Sequence, residues 1–151
     1  MIQKILMSIV IITLAFFGLS FVTNEDSKCI NLYIDYGSLN NNVKSNQCIE
    51  SSTEIVALDL LKQAGLTIEG TKRWGDAVVC RVNNLPSATI ESCDDMPSEK
   101  SYWAIIIKEK QFLPFPTKEW GWGQLAINEQ YLNPGDSVGL VFADNGKVRF
   151  P

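Results

Sequence analysis

Histidine, the commonest general base and nucleophile activator, is missing from this chain. No G-x-S-x-G and no S-x-x-K occurs, so no serine has a partner at a spacing known to take its proton. What remains for chemistry is four cysteines, an acidic run and a surplus of aromatic side chains. Cys29, Cys48, Cys80 and Cys93 all lie beyond an apolar leader and are even in number, which points to disulfides. A zinc site would need C-x2-4-C pairs or histidines, and neither is present. Four cysteines allow three pairings; Cys80–Cys93 with Cys29–Cys48 is favoured because each pair is local. Closing loops of that size would contribute on the order of 3 kcal/mol each.

Glu91, Asp94, Asp95 and Glu99 carry the oxygens a calcium ion takes, but without the alternating D-x-D-x-D-G spacing of a calcium loop. A solvated acidic surface is the expectation there. The aromatic set Trp74, Tyr102, Trp103, Phe112, Phe115, Trp120, Trp122 and Tyr131 is larger than one small core uses. Trp120 and Trp122 alternate, so an extended segment would aim both the same way and offer a stacking face. Cover for a bare sheet face and a platform for a ligand or partner are both open for this set.

Residues 1–22 are one basic residue, Lys4, followed by an uninterrupted apolar to weakly polar run. That is the outline of a secretory signal, although the small residues needed for cleavage are poorly placed. The run is also nearly long enough to stay behind as a single membrane anchor. Either way the remainder is expected outside the cytoplasm, with 23–28 as spacer and 29–151 as one domain, secreted or held at the cell surface. Setting Lys4 aside leaves 12 basic against 17 acidic residues. Such a balance argues against nucleic acid and against anionic membrane surfaces, so membrane contact is expected only through the N-terminal segment.

The elements that must position these residues are legible in part. Residues 29–37 (CINLYIDYG) alternate strictly, with Ile30, Leu32, Ile34 and Tyr36 on one face, and predict a half-buried strand. A short second strand is expected within 43–49. Ser51 and Glu54 stand at capping-box spacing and predict a helix start at 51, its apolar stripe running through Leu60, Leu61 and Ala64 to a stop at Gly65. Residues 77–82 and 102–107 are short apolar runs bounded by turn residues and predict two buried strands, with a polar connection holding Cys93 between them. Asn83-Asn84 predicts a tight turn, and Asn133-Pro134-Gly135-Asp136 a type II turn. Residues 125–131 suggest a further strand and 138–142 another, while Pro114 and Pro116 make 112–116 irregular. One helix on a mixed sheet of four or five strands is an α+β layer pair, for which β-grasp is the natural candidate. The helix covers one sheet face only; the other is left to solvent or to the 112–122 segment.

Together "YIDYG", "ALDLLKQAG", "VVCRVNNLP…ESC", the "YW" opening a strand and the late "LNPGDSV" resemble the transcobalamin-like C-terminal domain family, in its secreted, stand-alone actinobacterial form. The resemblance runs over roughly residues 30–142. It implies a ubiquitin-like β-grasp fold and, in the vitamin carriers, a domain that packs over one face of a bound cobalamin beside a helical barrel. No such barrel is present in this sequence. The resemblance matches its ligand-side motif at Tyr102 and Trp103. With Trp120 and Trp122 these form the expected binding set, for a small hydrophobic or planar ligand such as a corrinoid. The expected role is non-enzymatic and accessory to uptake, without a resident cofactor or metal. The alternative is a module that pairs with a transporter or another surface protein.

Overall fold

The computed structural model describes residues 28–110 and 119–151. The leader, nearly all of the spacer and the proline-broken piece with Phe112 and Phe115 lie outside the described residues. The alternating segment forms β1 (Cys29–Asp35), which pairs antiparallel with β2 (Lys44–Glu50) through a short 3-10 turn at Gly37–Asn40. β1 also pairs in parallel with the last long strand, β9 (Ser137–Asp144). β9 pairs antiparallel with β6 (Ser101–Lys108), and β6 with the two-residue β7 (Gly121–Trp122). The result is a mixed five-stranded sheet in the order β2-β1-β9-β6-β7. The protein is α+β, with one helix among the described residues and two disulfides.

That helix, α1 (Ala57–Gln63), begins six residues later than the capping-box spacing predicts. The box does not form: Ser51 Oγ donates to the Thr53 carbonyl at 2.6 Å, and the helix N-cap is Val56, without a side-chain cap. Tertiary structure overrides the local signal. The β-branched pair β3 (Ile55–Val56) is drawn into a two-stranded ladder with β8 (Tyr131–Leu132). The first helical amides are then met by backbone carbonyls, Ala57 N–H by Gln130 and Leu58 N–H by Ile127. Gly65 ends the helix as expected, at φ +82°, with Leu66 N–H donating back to the Leu61 carbonyl. Residues 125–130 do not form the strand suggested by the sequence; they are the bent segment that supplies those carbonyls.

Ala57, Leu58, Leu60 and Leu61 of α1 share one core cluster with Ile30, Leu32 and Ile34 of β1, Trp103 of β6 and Val138, Leu140 and Phe142 of β9. The helix therefore lies against the sheet, and every second residue of the central strands supplies its floor. β5 (Gly75–Val82) is the exception among the predicted strands. It leaves the main sheet and pairs only with β4 (Ile68–Thr71). Its last turn leads through Asn83 and Asn84, both at positive φ, into an arch that returns to Cys93. Both local disulfides are present, with Cα–Cα distances of 5.5 Å for Cys29–Cys48 and 5.7 Å for Cys80–Cys93. Buried Arg81 fills the arch, donating to the carbonyls of Pro86 and Glu91 and to Glu69 Oε1. Trp103 Nε1 donates to the Leu85 carbonyl at 3.0 Å, fixing the arch to the core.

The 133–136 turn forms as predicted, with Gly135 at φ +97° and Asp136 N–H donating to the Asn133 carbonyl. Asp136 is buried, and its carboxylate accepts from the amides of Lys110 at 2.6 Å and Asn133 at 2.7 Å. Its own carbonyl accepts from Asn31 N–H at 3.0 Å. Replacing Asp136 by Ala strands two part-buried donors and is expected to cost about 2 kcal/mol in urea unfolding. Leu61→Ala, which empties a fully buried site under the helix, should cost about 2–5 kcal/mol. A loss below 1 kcal/mol in either would remove that residue from the account of the fold.

Candidate ligand-binding site

Residues opposite one another on neighbouring strands share a side of the sheet. On the side away from α1 one such row is Tyr33, Gly139, Ile106 and Trp122. A Cβ at Gly139 would stand 2.6 Å from Ile106 Cγ1, so the row closes over bare backbone and a larger residue there would have to displace Ile106. The next row is Asp35, Val141 and Ala104. These residues, with Ile106 and Ala143, are buried yet lie outside the helix-side cluster. The second face is therefore covered, and the cover is aromatic. Trp122 meets Phe150 edge-on with centroids 5.9 Å apart, and Trp120 meets Tyr33 at 6.2 Å and 50°. Phe150 belongs to the segment that returns after the Asn145-Gly146 turn and is tied down by Arg149, which donates to Asn42 and Asp144.

Two grooves flank this aromatic cover. The larger, about 490 Å³, has Asn31, Asn46, Ser137 and Lys108 for polar lining and the rings of Tyr33 and Trp120 for walls. The other, about 420 Å³, runs beneath Trp122 and is lined by Ile107, Leu125, Gln124 and Gln130. Glu109 borders both. Trp122 remains 49% exposed and Phe150 42%, so the rings offer free surface as well as burying the sheet. A polar floor with a few hydrogen-bonding groups between apolar walls is the general make-up of a small-molecule site.

The four aromatic residues expected to bind together fall into two separate pairs. Trp103 lies in the helix-side core, 5% exposed, edge-on to both Tyr36 and Phe142. Tyr102 is half-buried in an apolar cleft of about 330 Å³ with Val78, Met96 and Pro97, which Trp103 also lines, so these two are brought together apart from Trp120 and Trp122. Tyr102 sits four residues before Ile106, about 13 Å along β6 from the row that ends in Trp122. Trp120 and Trp122 do lie over one face, each against its own aromatic partner. Tyr33, Asn31, Asn46 and Phe150 join that site unannounced. The signal for Tyr33 was available: it is an aromatic ring on the polar side of an alternating strand.

The chain matches no protein-family model, no curated protein and no solved structure.

Charge around the site is locally paired. Lys44 Nζ lies 3.2 Å from the buried Asp35 carboxylate, which also accepts the Gly37 amide. The hydrogen bond to Asp35, helped by Tyr33, raises the Lys44 ammonium above its ordinary 10.5. Of the acidic run, Asp94 pairs with Lys72 at 2.5 Å, while Asp95 takes Arg73 at 2.7 Å and Trp74 Nε1 at 3.1 Å. Glu91 Oε1 accepts the Cys93 amide. No group of metal-binding type is assembled among the described residues. The Lys72 and Arg73 hydrogen bonds hold the Asp94 and Asp95 carboxyls below 3.8. Depressed carboxyls support the fold above their unfolded value and stop doing so as pH falls through the folded one. Acidifying below 3.8 should thus free the β4–β5 tip from the Asp95 loop. The readout is a change in tryptophan emission that Trp74→Phe abolishes and that Asp95→Asn shows already at neutral pH; identical acid titrations of all three proteins would refute the tie. Lys44 behaves oppositely, its contribution being lost only as pH rises beyond 10.5.

Proposed function

We propose that this chain is a non-enzymatic binding domain of the transcobalamin-like, ubiquitin-like β-grasp kind, working outside the cytoplasm as an accessory to uptake at the cell surface. The single observation that carries the binding role is the groove beside the packed rings of Tyr33 and Trp120, lined also by Asn31, Asn46 and Ser137. The ring pair offers an apolar surface to a ligand with one flat face, and the neighbouring amides and hydroxyl meet its polar rim. A corrinoid, a flat macrocycle fringed with amides, is such a ligand. For the β-grasp assignment the support is the strand order β2-β1-β9-β6-β7 with its parallel central pair, and a helix between the first hairpin and the third sheet strand. Two disulfides suit an oxidising compartment, and no helix among the described residues is long and apolar enough to cross a membrane. The buried carboxylates Asp35 and Asp136 are both spent on backbone amides, which favours recognition over catalysis. A surface interaction module is the second role, favoured by the polar outer edge of β2.

Isothermal calorimetry of the oxidised protein with cyanocobalamin tests the corrinoid assignment. Saturable binding is expected, weakened several-fold by Trp120→Ala through the loss of one stacking wall and unchanged by Trp74→Ala at the β4–β5 turn. Absence of heat up to millimolar cyanocobalamin removes the corrinoid. Binding that Trp120→Ala leaves intact removes the groove.

A further inference from the structure

We propose that β2 is a self-pairing edge, by which two copies of this chain join antiparallel into one continuous sheet. β2 lies at the end of the five-stranded sheet, and its backbone is divided between two sides. Tyr36 N–H donates to the Val43 carbonyl and Ser51 N–H to the Lys28 carbonyl. Together with the register Ile34↔Ser45, Leu32↔Gln47 and Ile30↔Ile49, these bonds turn residues 43, 45, 47, 49 and 51 inward to β1. The alternation of an antiparallel ladder then turns the amides and carbonyls of Lys44, Asn46, Cys48 and Glu50 outward. The one outward group given a protein partner here is the Glu50 carbonyl, which takes Gln63 Nε2 at a marginal 3.5 Å.

Only one antiparallel register pairs all four outward residues with themselves, and it is centred on Gln47. Lys44 then faces Glu50 of the second copy, and Asn46 faces Cys48 of the second copy. By the two-fold axis each pairing occurs twice, as an isologous contact requires. Lys44 and Glu50 are both exposed, so each end of the paired strands gains an opposite-charge pair directly across the ladder. The edge is seven residues long and without proline, and Glu50 of the second copy would face Lys44 from the side not taken by Asp35. The side chains of the outward residues lie on the face away from α1, because Lys44, Asn46 and Cys48 sit opposite Asp35, Tyr33 and Asn31. The two Tyr33–Trp120 grooves would thus come side by side on one face of the joined sheet. This assembly rests on the interaction role of β2 and not on any ligand.

Sedimentation velocity of the full oxidised chain tests it, with circular dichroism confirming that each variant is folded. The unmodified chain should show a monomer–dimer equilibrium. Glu50→Lys places like charges at both ends and should weaken self-association about tenfold, as should Lys44→Glu. Mixing those two variants restores opposite charges at both ends, so the mixture should dimerise as the unmodified chain does. Asn46→Pro removes an outward amide, costs no bond to β1 and should abolish pairing. A monomer at all concentrations, or a dimer indifferent to Glu50→Lys and to the mixture, overturns the proposal. Calorimetric binding of cyanocobalamin by an unmodified chain that stays monomeric would leave the groove standing while the edge fails, so the two failures are separable.

Discussion

Asp136 is the group on which the arrangement of the sheet depends. Its carboxylate holds the Lys110 amide just past β6 and the Asn133 amide that opens the 133–136 turn, and its carbonyl holds the Asn31 amide of β1. Segments far apart in sequence thus meet at one buried residue, where β9 begins between β1 and β6. A charged acceptor on two backbone donors is among the stronger interactions a small domain can make. It also sets register. If β9 slipped by one residue, Val138, Leu140 and Phe142 would leave the helix side and the core would lose its floor.

The two faces of the sheet are closed by different means. On one, α1 and β5 bring Leu60, Leu61, Val79 and Val82 down on the central strands. On the other, small residues at Gly139, Ala104 and Ala143 keep the surface low, and Trp120, Trp122, Tyr33 and Phe150 lie across it. Rings laid on a shallow surface leave gaps between them, and those gaps are the two grooves. Cover and binding surface are one set of side chains here.

The long elements were legible in the sequence because their signals are local. Alternation gave β1 from Ile30, Leu32 and Ile34, the apolar runs gave β5 and β6, and Asn-Pro-Gly-Asp gave its turn. Cysteine locality gave both disulfides. The misses share a cause. Ser51 and Glu54 carry a helix signal that the pairing of Ile55–Val56 with Tyr131–Leu132 overrules, and nothing near residue 55 announces a partner so distant. Likewise β5 reads like a sheet strand, yet pairs only with β4. For the site, the aromatic surplus named Trp120 and Trp122, which lie over one sheet face, and Tyr102 and Trp103, which line another cleft at the start of β6. Asn31, Asn46 and Ser137 gather in one groove only through strand order, which no window of sequence contains.

The parallel contact of β1 with β9 joins segments from opposite ends of the domain. Closing so large a loop is entropically late, since most of the chain must exist before the partner does. During synthesis β1 therefore waits beside β2 alone, a two-stranded hairpin of marginal stability. The Cys29–Cys48 bridge spans that hairpin. Oxidation there keeps the first two strands aligned while the remaining chain emerges, so this cross-link matters most before the native sheet exists.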